Sequence, residues 1–309
     1  MKELSFDTLF SLVKELKETL SVKKIEKGYS YDLKYKVTYE DGSRLLRIHD
    51  LKQKEQVLTQ LNRMNALYKM GVKCPKVYAF QEVNEHNICY SITEWLDGED
   101  GETAIPQLDA HTQYQVGYEA GCNLRIIHSL KIEEPIITSK ENTEKSKMEF
   151  ERCVRRYKEL NINLPFETKI IEYVYEHYDL LDDRPIVFTH GDFHANNIIV
   201  KGGKYAGVID FERCKLDCPY SDFNKIELFS SALSKEFAKG VVDGYFQENI
   251  PDDFWVIRSF YMARNIIFHL VWATDNFPEE FEHALQTVNR VINEYEYFTL
   301  KVPKWYSSK

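Results

Sequence analysis

The segment Thr189-His190-Gly191-Asp192-Phe193-His194-Ala195-Asn196-Asn197-Ile198-Ile199-Val200, followed by Gly207-Val208-Ile209-Asp210-Phe211, concentrates the residues able to do chemistry. Asp192 falls in a loop and Asn197 follows where an apolar strand begins. Asp210 closes a second apolar strand after the turn Lys201-Gly202-Gly203-Lys204. Such a hairpin gathers three oxygen-bearing side chains at one end of a two-stranded ribbon. Phosphoryl transfer from a nucleotide needs such a set. One carboxylate must meet the attacking hydroxyl, while a carboxylate and an amide oxygen hold Mg²⁺ against the phosphates, because Mg²⁺ prefers hard oxygen ligands in octahedral geometry.

The same stretch supports a competing reading. His190-x-Asp192-x-His194 could ligate a transition metal in a metallohydrolase, since imidazole and carboxylate together suit Zn or Mn. That reading needs further ligands near strand ends, and His269 and His283 fall on helical patterns instead. Asn197 and the strand ending in Asp210 favour phosphoryl transfer. Cys214 and Cys218 are close in sequence, but no second pair stands at zinc-site spacing, so the six cysteines read as reduced thiols.

The chain has 309 residues, long enough for two lobes sharing a cleft. Hydrophobic content of 43% and charged content of 29% describe a globular protein with a sizeable core. A formal net charge of -9 argues against a nucleic-acid partner, which would call for clustered Lys and Arg, and would suit a cationic substrate. No apolar run reaches the roughly 18 residues that span a bilayer, and Met1–Leu16 alternates charge with apolar residues, so a cytoplasmic protein without membrane contact is expected.

Elements able to position the motif can be read from periodicity. Phe6–Leu20 has helical spacing, and Val22–Glu26, Leu33–Tyr39 and Leu45–His49 have strand character, with Asp41-Gly42 as a hairpin turn. Gln53–Met70 repeats near 3.6 and stops at Gly71; Val77–Phe80 and Ile88–Thr93 are two further strands. The pattern breaks at Glu94-Trp95-Leu96-Asp97-Gly98. This predicts an N-terminal lobe over 1–95 and a helical lobe over 96–309. Beyond the break, helices are expected over Gln113–Leu130, Lys147–Leu160, Glu167–Leu181, Asp222–Phe246, Asp252–Ala273 and Glu279–Leu300, with Ser139–Lys147 as a polar loop. Strands first and helices afterwards make an α+β fold.

The pattern H-G-D-x4-N followed by I-D-F resembles the form found in aminoglycoside phosphotransferases, small-molecule kinases with a two-lobed protein-kinase-like fold. The order of elements resembles that family over nearly the whole chain. The resemblance implies that Asp192 is the catalytic aspartate, Asn197 and Asp210 the metal ligands, and His190 a brace of the catalytic loop. It also implies that Ser30, in the loop Gly28–Asp32, approaches the phosphates. Arg47 takes the position of the family's phosphate-pairing lysine, although a guanidinium fork is not equivalent to an ammonium. Glu55 is then the carboxylate expected to position Arg47, and Glu94 to Leu96 the hinge offering backbone groups to the base.

Acceptor contacts are expected among residues near the motif and in the last helices: Glu212, Asp217, Glu227, Trp272 and Asp275. Asp222 begins a predicted helix and either caps it or braces the catalytic loop. The acidic run Asp97–Glu102 reads as a solvated loop beside the cleft. The function expected is Mg²⁺-dependent transfer of the γ-phosphoryl of ATP or GTP to a hydroxyl of a small cationic acceptor, an aminoglycoside first. Choline, macrolide, sugar and homoserine acceptors stay open, as does a nucleotide-binding pseudoenzyme.

Overall fold

The computed structural model of the chain describes residues 6–26, 32–132, 137–247 and 249–307, and these pack as two units. The first takes the described part of Met1–Gly98 together with Ala206–Glu212. The second takes the described part of Glu99–Tyr205 and of Arg213–Lys309.

In the first unit, α1 (Phe6–Leu12) and a 3-10 turn (Lys14–Glu18) precede β1 (Ser21–Ile25), β2 (Leu33–Tyr39) and β3 (Gly42–Asp50). The unit continues with α2 (Lys54–Lys69), β4 (Val77–Val83) and β5 (Ile88–Glu94). The strands form one antiparallel sheet in the order β1-β2-β3-β5-β4. Register follows the alternation of residue types. Tyr35 pairs with Leu46 and Leu46 with Ile92, so these side chains share a face with Val37, Ile48 and Tyr90. That face is buried against Leu9, Val13 and Leu16. The opposite face carries the polar members of each strand, Lys34, Arg47, His49 and Ser91 among them.

The expected helix over Phe6–Leu20 is shorter, giving way to the 3-10 turn before β1. Residues 206–212 join this unit because Val208 donates its N–H to Lys73 O (2.9 Å), and Gly207 permits the approach: a Cβ there would meet the same carbonyl oxygen at 2.6 Å. A boundary drawn only along the sequence does not anticipate this return of the chain.

The second unit opens with β6 (Glu99–Asp100) and α3 (Gly101–Ala104), whose N-cap is Asp100, accepting from Thr103 N (3.0 Å). The acidic run expected to be a solvated loop is therefore an edge strand and a cap. Next come α4 (Ala110–His128), α5 (Ser139–Glu159), α6 (Glu167–Glu176), β7 (Val187–Thr189), β8 (Ile198–Lys201), the start of β9 (Lys204–Val208), whose last three residues belong to the first unit, and β10 (Lys215–Asp217). The rest is helical: α7 (Ser231–Leu233), α8 (Lys235–Phe246), α9 (Phe254–Asn276), α10 (Phe281–Glu294) and α11 (Lys304–Ser307).

Two helices set the frame of this unit. Gly117 and Gly121 on α4 face Gly240 and Gly244 on α8, and a Cβ at any of the four would stand 2.0–2.2 Å from a backbone oxygen of the other helix. The backbones therefore pack in direct contact. A second core collects Phe150, Tyr157, Val174, Phe260, Ile267 and Val288 from α5, α6, α9 and α10.

Two expectations are corrected here. Ser139–Lys147 is the first half of α5 and not a loop, because Thr138 and Glu141 form a capping box that starts the helix early. Asp222–Phe246 is not one helix: a 3-10 turn (Pro219–Phe223), a π turn (Ile226–Ser230) and α7 precede α8, which is capped separately by Ser234. Among the described residues no helix is long and apolar enough to cross a membrane.

Candidate active site

In the second unit the loop His190–Asn197 runs from β7 to β8. Its start is held by the short pairing of β7 with β10, where Thr189 Oγ1 donates to Lys215 O (2.9 Å). Gly191 has a left-handed backbone (φ 75°), and a Cβ there would stand 2.1 Å from Arg213 O, so both conformation and space require glycine. His190 is fully buried, and its Nδ1 accepts the Asp192 N–H at 3.2 Å. Asp222 accepts the N–H groups of His190 (2.7 Å) and Gly191 (2.6 Å) and pairs with His128 Nε2 (2.9 Å). It does so from a 3-10 turn rather than as the N-cap of a helix.

Asp192 is the point on which this loop converges. Its carboxylate forms an ion pair with Lys225 and lies 3.2 Å from His194 Nε2 and 3.6 Å from Arg213 Nε. Burial pushes its pKa up, but the His194 hydrogen bond and the Lys225 charge outweigh burial and hold the carboxyl below the usual carboxylate range. Asn197 ends a 3-10 turn just before β8, and its Nδ2 donates to Asp192 O (2.8 Å). With the amide nitrogen fixed by a carbonyl acceptor, the orientation of the amide is settled and Oδ1 is left as its acceptor atom.

Lys225 was not among the residues singled out by sequence. It is placed by the Asn224–Glu227 segment, which is anchored from below: Glu227 accepts from Arg258 Nε (2.6 Å) and Tyr295 Oη (2.5 Å), and Asn224 Oδ1 accepts from Arg258 Nη1 (2.8 Å). Arg258 and Glu227 are 0% and 3% exposed. Glu227 is thus a buried structural anion and not an acceptor contact.

The other acceptor candidates are also engaged. Asp275 is paired with Arg156 (2.7 Å), and Asp217 accepts from Asn142 Nδ2 (3.0 Å) and pairs with Lys215 (2.6 Å). Trp272 is half-exposed and stacks on His269 at 6.3 Å. His269 lies 5.6 Å from Phe229, and Phe229 6.1 Å from His194, so a run of rings links Trp272 to the side chain beside Asp192.

In the first unit, Arg47 stands on the polar face of the sheet. Its guanidinium pairs with Asp32 (3.3 Å) and with Glu212. Burial pulls the pKa of Arg47 down while Asp32 and Asp210 pull it back. Glu55 does not fill the role expected of it: it is exposed on α2, and Asp32 and Glu212 take its place as the carboxylates at Arg47. Glu212, proposed as an acceptor contact, is occupied by this pair. Asp210 lies two residues beyond β9 in a left-handed conformation (φ 67°), a state uncommon for residues with a Cβ that aspartate adopts more readily than most. Ser30 and Gly28 lie outside the described residues.

At the end of β5, Glu94 N–H donates to Lys76 O (2.8 Å), its carboxylate accepts from Lys76 N (3.1 Å), and Trp95 N–H donates to Ser43 O (3.2 Å). Lys36 covers the Trp95 ring at 4.5 Å, which makes Trp95 part of the sheet's polar-face packing. Among the described residues no acceptor meets the Leu96 N–H.

Residues 21–255 match the family model described as the phosphotransferase enzyme family. The chain belongs to that family. It is accordingly a small-molecule O-phosphotransferase. Among solved structures, this phosphotransferase is similar to the GDP complex of an aminoglycoside 2′-phosphotransferase-IIIa mutant. That match has 12% identity and a TM-score of 0.73, covering 95% of this chain and 97% of the other. It is similar to the gentamicin-APH(2″)-IIa complex, with 15% identity, a TM-score of 0.65, and 94% and 97% coverage. A third is spectinomycin phosphotransferase APH(9)-Ia with ADP and spectinomycin, with 15% identity, a TM-score of 0.65, and 93% and 94% coverage. At these identities the likeness establishes the fold, an antiparallel sheet followed by a helical unit in the protein-kinase-like manner. None of the curated protein sequences matches the chain.

Proposed function

We propose that this phosphotransferase moves the γ-phosphoryl group of ATP or GTP, with Mg²⁺, to a hydroxyl of a small-molecule acceptor. The observation that carries the reading is the condition of Asp192. It is buried, held ionised by its neighbours, and joined through its own carbonyl to the amide of Asn197. Asp192 is placed to orient the acceptor hydroxyl and take its proton, which suits a reaction that depends on positioning and electrostatics. Asn197 Oδ1 and the Asp210 carboxylate are hard oxygen donors that fit Mg²⁺, which when bound would offset charge on the phosphates. The Glu94 carbonyl and the Leu96 N–H are assigned to the base, and Ser30 and the cationic polar face of the sheet to the phosphate side. The GDP and ADP of the related structures support a nucleotide donor. A cytoplasmic setting, where nucleoside triphosphate and Mg²⁺ are at hand, belongs to the same reading.

For the acceptor, gentamicin and spectinomycin in the related structures favour an aminoglycoside. A specific observation favours a second reading, an uncharged or less cationic hydroxyl compound such as a macrolide or sugar. The four acidic residues expected to contact a polycation, Glu212, Asp217, Glu227 and Asp275, are each paired with a cation within the chain. Lys225, Arg213 and His194 surround Asp192, and the rings beyond them are Phe229, His269 and Trp272. Transfer from MgATP and MgGTP to a panel of aminoglycosides, macrolides, sugars and choline, with Asp192→Asn and a chelator as controls, tests both. Transfer that survives in Asp192→Asn would refute the assigned role. The acceptor that turns over decides between the two classes, and nucleotide binding without turnover on any acceptor would favour a pseudoenzyme.

A further inference from the structure

On the polar face of the first-unit sheet, Lys34, Arg47 and Ser91 occupy one row across β2, β3 and β5, because Lys34 pairs with Arg47 and Arg47 with Ser91. The two cations of this row are held very differently. The Arg47 side chain is 13% exposed and clasped between Asp32 (3.3 Å) and Glu212. Asp32 is itself fixed: His49 Nδ1 lies 3.0 Å from its carboxylate, and His49 Nε2 lies 3.0 Å from Ser91 Oγ. Both contacts are made by Nη2, so turning that end of the guanidinium toward a ligand would break both pairs.

Lys34 is under no such restraint. It is partly buried, and among the described residues its ammonium is in ion-pair contact with no carboxylate. It nevertheless feels two of them. Burial and the Arg47 guanidinium pull its pKa down, while Asp210 and Asp32 pull it up. A partly buried ammonium beside a guanidinium is unfavourable until an anion completes its surroundings. Asp210, whose field it shares, is the carboxylate assigned to the metal, so the anion that belongs beside it is the one a metal accompanies. An ammonium is also the better partner for such a ligand here, as a compact charge on a flexible stem that can follow a phosphate oxygen.

We infer that Lys34, and not Arg47, supplies the cation that meets the phosphates of the donor nucleotide, and that Arg47 is a positioning residue holding Asp32 and Glu212 in place. The inference rests on the phosphotransfer reading of the site and relocates its phosphate-binding cation from β3 to β2. A sequence comparison by position alone would assign Arg47, because only the cross-strand register brings Lys34 into the same row.

Calorimetric titration of the full chain with MgATP, MgGTP, adenosine and guanosine tests this, using wild type, Lys34→Met, Lys34→Arg and Arg47→Met, with Tm measured for each. Lys34→Met is expected to weaken the preferred triphosphate tenfold or more while leaving nucleoside affinity and Tm unchanged, and Lys34→Arg to recover part of the loss. Arg47→Met is expected to lower Tm. A Lys34→Met protein that binds triphosphate as tightly as wild type overturns the inference. So does one that loses nucleoside and triphosphate alike with a lowered Tm, which would make Lys34 structural. Wild type that binds neither triphosphate would overturn the phosphotransfer reading itself, and this assignment with it.

Discussion

Asp222 lies 2.9 Å from His128 Nε2 at the buried end of α4 and at the same time accepts the backbone N–H groups of His190 and Gly191, so one carboxylate ties the His190–Asn197 loop to a helix. Burial pushes its pKa up, but the hydrogen bonds and charge of its partners push it down further and keep it ionised. A depressed carboxylate pKa stabilises the fold above the unfolded value of about 3.9 and loses that contribution as pH falls. Asp222→Ala leaves His128 and two backbone N–H groups without their acceptor. We expect a loss of about 3–5 kcal/mol in urea denaturation at pH 7. A loss under 1 kcal/mol would show that the loop is held by other means.

Asp192 is ionised because Lys225 and His194 outweigh its burial. The acid limb of kcat/KM in wild type should therefore not come from Asp192 at any pH above about 4. Lys225→Met removes the closest cation while His194 still lowers the carboxylate, so the pKa of Asp192 rises. Asp192→Asn should lower kcat by roughly 10²–10⁴ while nucleotide still binds. A carboxyl NMR titration of Asp192 that is the same in wild type and Lys225→Met would mean that Lys225 does not tune this carboxylate.

Legibility followed locality. The sheet of the first unit was readable because Tyr35, Val37, Leu46 and Ile48 alternate with polar neighbours and Asp41-Gly42 marks the turn; each signal lies within one hairpin. The His190–Asn197 loop was readable for the same reason, with Asp192 and Asn197 a few residues apart. Its supports were not: His128 is 94 residues from Asp222, and Lys225 is 33 from Asp192. No local pattern encodes such pairings. Three of the acidic residues named as acceptor contacts are engaged by equally distant partners: Arg156 is 119 residues from Asp275, Arg258 is 31 from Glu227, and Arg47 pairs with Glu212. Glu55 was placed near the start of the right helix, but which way a helix faces depends on its packing. The three-residue strands β7 and β10 are too short to carry a period.

The start of α5 was missed because its first turns are polar throughout, and what fixes them is a cap. Thr138 Oγ1 accepts the Glu141 N–H (3.2 Å), and Glu141 Oε2 accepts the Thr138 N–H (2.8 Å). Thr138→Ala should cost about 1 kcal/mol, lowering Tm by roughly 2 °C in a chain of this size. Thr138→Ser should be near neutral. Equal Tm values for the alanine and serine proteins would show that α5 is held by its packing against α9 and not by its cap.

His269 sits between Phe229 and Trp272, and burial, followed by the nearby charges of His283 and Lys225, pushes its pKa down to about 4 from 6.5. The unfolded chain binds a proton at this residue through the window between those values, and the folded chain does not. Stability from this group is therefore fully present above pH 6.5 and is lost as pH falls toward 4. The slope it contributes is at most about 1.4 kcal/mol per pH unit. His269→Phe keeps a ring between Phe229 and Trp272 and removes the titration. Urea denaturation of wild type and His269→Phe at intervals from pH 4.5 to 7.5 should give curves that converge in slope above about pH 6.5 and diverge below it, with wild type falling faster. Parallel curves across the whole range would mean that the His269 ring titrates alike in the folded and unfolded chain.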